Sequence, residues 1–245
     1  MIKVLELFSG IGSVGKVCHK LGWETLSIDI DGRADITCDI LEWDYKQYDK
    51  DEFDIIWASP PCATFSALQY SNLGRKRKDG IFTREMMESD MLSKGDPLVK
   101  KALEIINYFN PEYWFMENPD TGQLKDRPYM KDIPYYIVDY CMYSDWGYKK
   151  RTRIWTNKPL YWVGKLCDGS GACGNMIETT KKHKLNVSKD VHTVGEKKTI
   201  KKHKMGIGIG ADSIAMGQKM VAGGGSNRLD RYRIPEDLIY SLFLE

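Results

Sequence analysis

The chain has 245 residues, 42% of them hydrophobic and 29% charged, with a net charge of +2. That length allows one α/β domain with a small appended region, and the composition excludes a disordered or low-complexity chain. No apolar run approaches a membrane span, and six dispersed cysteines do not make a disulfide framework, so a cytoplasmic protein with reduced thiols and no secretory signal is expected.

Ile2 to Phe8 is an apolar run that predicts a first strand, ending in Ser9-Gly10-Ile11-Gly12. Val14, Val17, Cys18 and Leu21 follow at helical spacing, so a helix begins near Ser13 and Gly22 closes it. Thr25 to Asp29 predicts a second strand, ending in Asp29-Ile30-Asp31, and Ile36 to Cys38 a third, ending at Asp39. Phe53 to Ala58 is a fourth, stopped by Pro60 and Pro61, which cannot extend a ladder, just before Cys62. This alternation is the signature of a doubly wound, mostly parallel sheet. Residues 66–96 read as a long polar loop, with the basic run Arg75-Lys76-Arg77-Lys78. Pro97 suits the first turn of a helix whose apolar face is Leu98, Ala102, Ile105, Ile106 and Phe109. Tyr113 to Met116 is a fifth strand, ending at Glu117-Asn118-Pro119. Tyr135 to Tyr140 is a sixth and Arg153 to Trp155 a seventh, with Tyr143 to Lys150 expected to form a hairpin with the seventh. Beyond Asn157 the periodicity fades into a Lys- and Gly-rich region over 158–226, and Pro235 to Leu244 returns as an amphipathic helix. Three units are expected: a first domain over 1–157, a small basic region over 158–226, and a C-terminal segment over 227–245 that packs back on the first. From Lys158 to Lys204 eleven lysines face four acids, a net +7 that leaves −5 elsewhere, which suits a polyanion partner.

In open α/β sheets ligands bind outside the carboxyl ends of the strands. Gly10 and Gly12 between a strand and a helix let the backbone approach a cofactor closely, and Asp29 at the next strand end suits a ribose diol. No Gly-x-Gly-x-x-Gly and no P-loop lysine is present, which disfavours a dinucleotide or a triphosphate. Cys62, Glu117 and the pair Arg151 and Arg153 lie at or near three further strand ends. A thiolate is a competent nucleophile whose pKa cationic neighbours lower, and a carboxyl group beside it can move a proton on a substrate. Singly each has a bland reading, as a small buried hydrophobe, a helix cap or a surface ion pair. Their arrival in this order at successive strand ends favours chemistry.

These motifs, in this order, resemble the DNA (cytosine-5)-methyltransferase family. Leu5 to Gly12 resembles its first motif, and the resemblance implies S-adenosylmethionine held by Phe8, Ser9, Gly10, Ile11, Gly12, Asp29, Ile30, Asp39, Ile40 and Pro60. Pro60-Pro61-Cys62 with Phe65 and Ser66 is similar to the nucleophile motif. Glu117-Asn118 is similar to the Glu-Asn motif, with Pro119 where valine is usual. Arg151-Thr152-Arg153 resembles the paired-arginine motif, preceded by Lys149 and Lys150 instead of the usual glutamine. Arg231 to Phe243 resembles the next motif, which braces the target domain. The resemblance implies a viral or restriction-modification-like enzyme that methylates C5 of a flipped-out cytosine in double-stranded DNA. Cys62 would attack C6, Glu117 would engage N3 and the exocyclic amine, and Arg151 and Arg153 would orient base and acid. Pro61, Ser66, Arg75, Lys76, Arg77, Lys78 and Asn118 would meet the DNA, with 158–226 as target-recognition region. The alternatives are an RNA methyltransferase of the same fold and a non-catalytic DNA-binding relative.

Two departures stand out. The family's last motif, a Gly-Asn segment lining the cofactor pocket, has no clear match, and Gly206 to Ala222 with Gln218 is the candidate substitute. A monomer is expected, with a partner subunit completing that pocket as the alternative. A viral origin would place the protein in the host nucleus or cytoplasm. No metal is assigned. The alternative is a zinc site from Cys167, Cys173 and His183, with His192 or His203 as a fourth ligand, although Cys-x5-Cys is looser than the usual Cys-x2-Cys.

Overall fold

The computed structural model describes residues 1–159, 162–185 and 232–245. Its centre is a sheet of β1 (Lys3–Leu7), β2 (Glu24–Asp29), β3 (Ile36–Thr37), β4 (Ile55–Ala58), β7 (Tyr113–Pro119), β8 (Tyr135–Asp139) and β9 (Arg151–Thr156). Between β4 and β7 a small hairpin pairs β5 (Lys76–Arg77) with β6 (Gly80–Ile81). The sheet order is β3-β2-β1-β4-β7-β9-β8. The pairs β1–β2, β2–β3, β1–β4 and β4–β7 are parallel, and β9 runs antiparallel to both β7 and β8. This is the expected doubly wound, mostly parallel α/β sheet. From β1 the chain winds outward through β2 and β3, then returns to β4 on the other side of β1. The crevice outside the ends of β1 and β4 is therefore a topological switch point.

All four residues of β4 are buried, as a central parallel strand requires. Because side chains alternate, adjacent residues serve opposite faces. On one face Leu5, Leu7, Ile28 and Ile56 pack with Val99, Ala102, Ile105, Ile106 and Phe109. These last five belong to the long helix Asp96–Phe109, which carries Pro97 in its first turn. On the other face Val4, Ile55, Trp57 and Phe115 meet Val14, Val17 and Cys18 of α1 (Ser13–Leu21), and Leu238, Ile239 and Leu242 of the C-terminal helix Glu236–Leu244. α1 closes at Gly22, whose φ of 71° lets its N–H reach the carbonyls of Cys18 and His19.

Two expectations change. Residues 66–96 are not a plain loop: they form a 3₁₀ turn (Ala67–Asn72), the β5–β6 hairpin, α2 (Arg84–Asp90) and a π-helical turn (Met91–Gly95) that runs straight into α3, the helix Asp96–Phe109. Nor do Tyr143 to Lys150 form a strand; β9 pairs with β8 and β7 instead. Within 158–226, residues 162–185 carry a second small hairpin, β10 (Met176–Ile177) with β11 (Lys182–His183). Gly206 to Ala222, Gln218, Gly223 to Gly225, His192, His203 and Arg231 lie outside the described residues. Among the described residues no helix is long and apolar enough to cross a membrane.

Candidate active site

The turn after β1 is tight. Phe8, Gly10 and Gly12 all have left-handed backbones, with φ of 58°, 55° and 67°. Glycine adopts this freely, but Phe8 carries strain there, a condition found where function holds the chain. A Cβ at Gly10 or Gly12 would meet no atom of the described residues within 4 Å, so among these the turn leaves room for a ligand. Asp29 holds the turn from β2: one carboxylate oxygen accepts the Gly10 N–H at 2.8 Å and the other the Asp31 N–H at 2.8 Å. Ser9 is tied by its N–H to the Ile28 carbonyl at 3.2 Å. Beneath the turn, buried Glu6 accepts the first free N–H groups of α1 from Val14 and Gly15, at 3.1 and 2.9 Å. Burial pushes its carboxyl up to about 7. Beside these, Ile30 is 75% exposed, while Ile40 is buried behind exposed Asp39.

β4 and β7 are parallel neighbours, with Ala58 opposite Met116, so the segments that leave them run side by side. Asn118 Nδ2 donates to the Pro60 carbonyl at 2.9 Å, which locks Glu-Asn-Pro against Pro-Pro-Cys. Its Oδ1 is a buried acceptor without a partner among the described residues. Pro60 is buried, Pro61 exposed and Cys62 half-buried. The Phe65 N–H donates to the Cys62 carbonyl at 3.1 Å, and the Phe65 ring is wholly buried. Ser66 caps the following 3₁₀ turn by accepting the Leu68 N–H at 3.2 Å. Withdrawal from water raises the Cys62 thiol pKa; the Lys150 charge opposes that rise and the Glu117 carboxylate adds to it. Buried Glu117 accepts the Tyr140 hydroxyl at 3.0 Å, and Lys150 Nζ lies 3.3 Å from the same Oε1. The Lys150 ammonium also sits over the Tyr140 ring, 4.7 Å from its centre. Thiol, acid and ammonium therefore share one environment beside the switch point.

The guanidiniums expected to orient the acid pair elsewhere. Arg151 makes a two-point pair with Asp139, at 3.0 and 2.8 Å. Arg153 pairs with Asp120 at 2.8 Å and stacks over Tyr135, 3.8 Å from its centre. Lys150 takes the place on Glu117 that the sequence reading gave to them. Strand alternation supplies the reason. Glu117 lies opposite Ile154, so its face of the sheet continues to Thr152 and Lys150, two and four residues along. Arg153 lies opposite Asn118, on the other face. Register would have found Lys150 once β7 and β9 were paired, but no linear motif contains it.

In the basic run, Arg77 is committed: it pairs with Asp90 at 3.1 Å and lies 3.4 Å over the Phe82 ring. Arg75, Lys76 and Lys78 are exposed. Cys167, Cys173 and His183 do come together, well away from Cys62 in the chain and joined by Cys141, which the sequence reading left out.

No protein-family model matches the chain. A protein of Frog virus 3 (isolate Goorha) named "Probable DNA (cytosine-5)-methyltransferase" is 46% identical over 177 residues, 71% of this chain and 79% of that protein. Among solved structures, the Entamoeba histolytica methyltransferase EhMeth is 16% identical with a TM-score of 0.43, covering 78% of this chain and 63% of that one. The Schizosaccharomyces pombe ("S. pombe") Dnmt2 methyltransferase is 16% identical with a TM-score of 0.41, covering 66% and 52%. The chain thus spans less than two thirds of the length of these two structures.

Proposed function

The chain belongs to the DNA (cytosine-5)-methyltransferase family, and we propose that it transfers a methyl group from S-adenosylmethionine to C5 of cytosine in double-stranded DNA. What supports the reading at the level of residues is the Asn118–Pro60 bond, which sets the thiol segment and the acid segment side by side at the switch point. The residues present fit S-adenosylmethionine: among the described residues nothing crowds the turn at Gly10 and Gly12, an acid ends β2, and apolar Ile30 stands exposed beside it. Phe8 to Gly12, Asp29, Ile30, Asp39, Ile40 and Pro60 would hold it. When bound it supplies an electrophilic methyl group on a sulfonium.

Cytosine C5 is too weak a nucleophile to take that methyl unaided. Cys62 as thiolate adds to C6, while Glu117 holds a proton at N3 and accepts from the exocyclic amine, so that electron density arrives at C5. Lys150 and Tyr140 fix the Glu117 carboxyl for that work. After methylation, loss of the C5 proton and departure of Cys62 restore the aromatic ring. The target base must leave the stack to meet Cys62, at a cost of a few kcal/mol. Pro61, Ser66 and Asn118 would border the flipped base. Arg75, Lys76 and Lys78 are free to meet phosphates, and Arg77 holds their hairpin in shape. The lysine-rich 158–226 reads the duplex, 1–157 does the chemistry, and 227–245 braces it.

The test is covalent trapping of the full chain on duplex DNA carrying 5-fluorocytosine, with S-adenosylmethionine present. A denaturation-resistant adduct that disappears in Cys62→Ser is expected. An adduct on 5-fluorocytosine RNA with none on DNA would assign RNA as substrate, and no adduct on either would leave a binding protein.

A further inference from the structure

We propose that Cys141, Cys167, Cys173 and His183 bind a zinc ion that staples residues 163–185 to the end of β8. The four ligand atoms lie within 4.8 Å of one another. Cys167 Sγ and Cys173 Sγ are 3.8 Å apart, and His183 Nε2 is 3.7 Å from each. A tetrahedron built on Zn–S bonds of ~2.3 Å and a Zn–N bond of ~2.0 Å has edges of ~3.8 Å between sulfurs and ~3.5 Å between sulfur and nitrogen. The spacings among Cys167, Cys173 and His183 match those edges and are far from the ~2.05 Å of a disulfide, and Cys141 Sγ lies within 4.8 Å of all three, close enough to close the tetrahedron with a small shift. Three thiolates and one imidazole are a soft donor set that selects zinc, and four protein ligands leave no open position, so the site is structural.

The surroundings are built for it. Asn175, itself buried, donates through Nδ2 to the carbonyls of Cys141 and Cys173, at 2.8 Å each, and accepts the Gly147 N–H at 2.7 Å. Asp139 accepts the Cys167 N–H at 2.9 Å, and Lys149 donates to the Cys167 carbonyl at 2.9 Å. Such contacts fix the backbone that presents ligands. Between Cys167 and Asn175 the chain passes through Gly169, Gly171 and Gly174, all left-handed, as a tight knuckle needs. From Val163 to Leu185 only Cys167 and Asn175 are buried, so the segment has no apolar core of its own. Short segments in that position need a metal or a cross-link to stay folded. The fourth ligand, Cys141, comes from the sheet side and makes the site a tie between two units of the chain. This inference does not depend on the methyl-transfer reading.

Native mass spectrometry and elemental analysis of the full chain should find one zinc per molecule. Cobalt added after chelation should give the intense visible bands of a tetrahedral thiolate site. Cys141→Ser and His183→Ala should lower zinc occupancy by at least tenfold at equal free zinc, while Cys38→Ser, outside the cluster, should keep it. A wild-type chain that carries no zinc and gives no tetrahedral cobalt spectrum overturns the proposal. So does full occupancy in Cys141→Ser, or a Cys167–Cys173 disulfide in protein isolated under non-reducing conditions.

Discussion

Cys62 is a thiol in conflict with its surroundings. Partial burial and the Glu117 carboxylate disfavour its thiolate, while the Lys150 charge and, less, a backbone hydrogen bond favour it. With its pKa raised above the ordinary 9.0, Cys62 is almost wholly protonated at neutral pH, and its reactivity should climb steeply on the alkaline side. Lys150→Gln removes the one favourable charge, so the alkylation midpoint of Cys62, followed peptide by peptide by mass spectrometry, should move to higher pH. Arg151→Gln, whose partner is Asp139, should leave that midpoint where it was. If the two substitutions act alike, Lys150 is not the cation that tunes the thiol. Cys62 and Glu117 could be singled out in the sequence as candidates because proline and strand-end patterns mark them, and the structure does bring their segments together. Lys150 could not, because its role follows from the register of β9 on β7, which a linear motif does not encode.

At the scale of elements, the Cys62 segment is clamped from the side by the π-helical turn Met91–Gly95. A Cβ on Gly95 would fall 2.6 Å from Phe65 Cζ and closer still to Thr64 Oγ1. The extra residue of a π turn, a feature common at functional sites, lets the backbone press directly on Phe65. Gly95→Ala must therefore push the Phe65 ring or the turn aside, at a cost of ~1–3 kcal/mol as for other overpacked cores. Because Phe65 is hydrogen-bonded to the Cys62 carbonyl, kcat for methyl transfer should fall by more than stability alone explains. Thermal unfolding and kinetics on the same sample separate the two, and unchanged kcat beside a lowered Tm would show that the clamp is only structural. This clamp was hidden in the sequence. α2 buries only Met87 and the β5–β6 hairpin pairs two residues with two, so neither has the periodicity that reveals a long helix or strand. α3, with five apolar residues on one face, was plain.

At the scale of the whole molecule, the C-terminal helix Glu236–Leu244 closes the face of the sheet that α1 leaves open. Leu238, Ile239 and Leu242 are buried there, Phe243 stacks on Trp23 with ring centres 5.7 Å apart, and Trp162 Nε1 donates to Ser241 Oγ at 2.9 Å. At its start the Ile234 N–H donates to Ser13 Oγ at 3.2 Å, so the segment also leans on the first turn of α1. Arg233 to Asp237 then share a cavity of about 510 Å³ with Ile11, Ser13 and Lys16. The sequence showed this helix by its apolar spacing, but not what it covers, because that depends on the order of strands remote in the chain. It follows that the end of the chain supplies a wall beside the glycine turn, where the family's last motif had no clear match. Ile239→Ala should cost ~2–5 kcal/mol, the range for a truncated buried aliphatic side chain. At ~2–4 °C per kcal/mol for a chain of this size, Tm should drop by roughly 4–20 °C. Glu236→Gln on the same helix breaks the ion pair with Lys20, two half-exposed groups 2.5 Å apart and screened by water, and should leave Tm nearly unchanged. If the two variants melt together, the helix is held at its surface and not by the sheet, and the closed face is lost from the account.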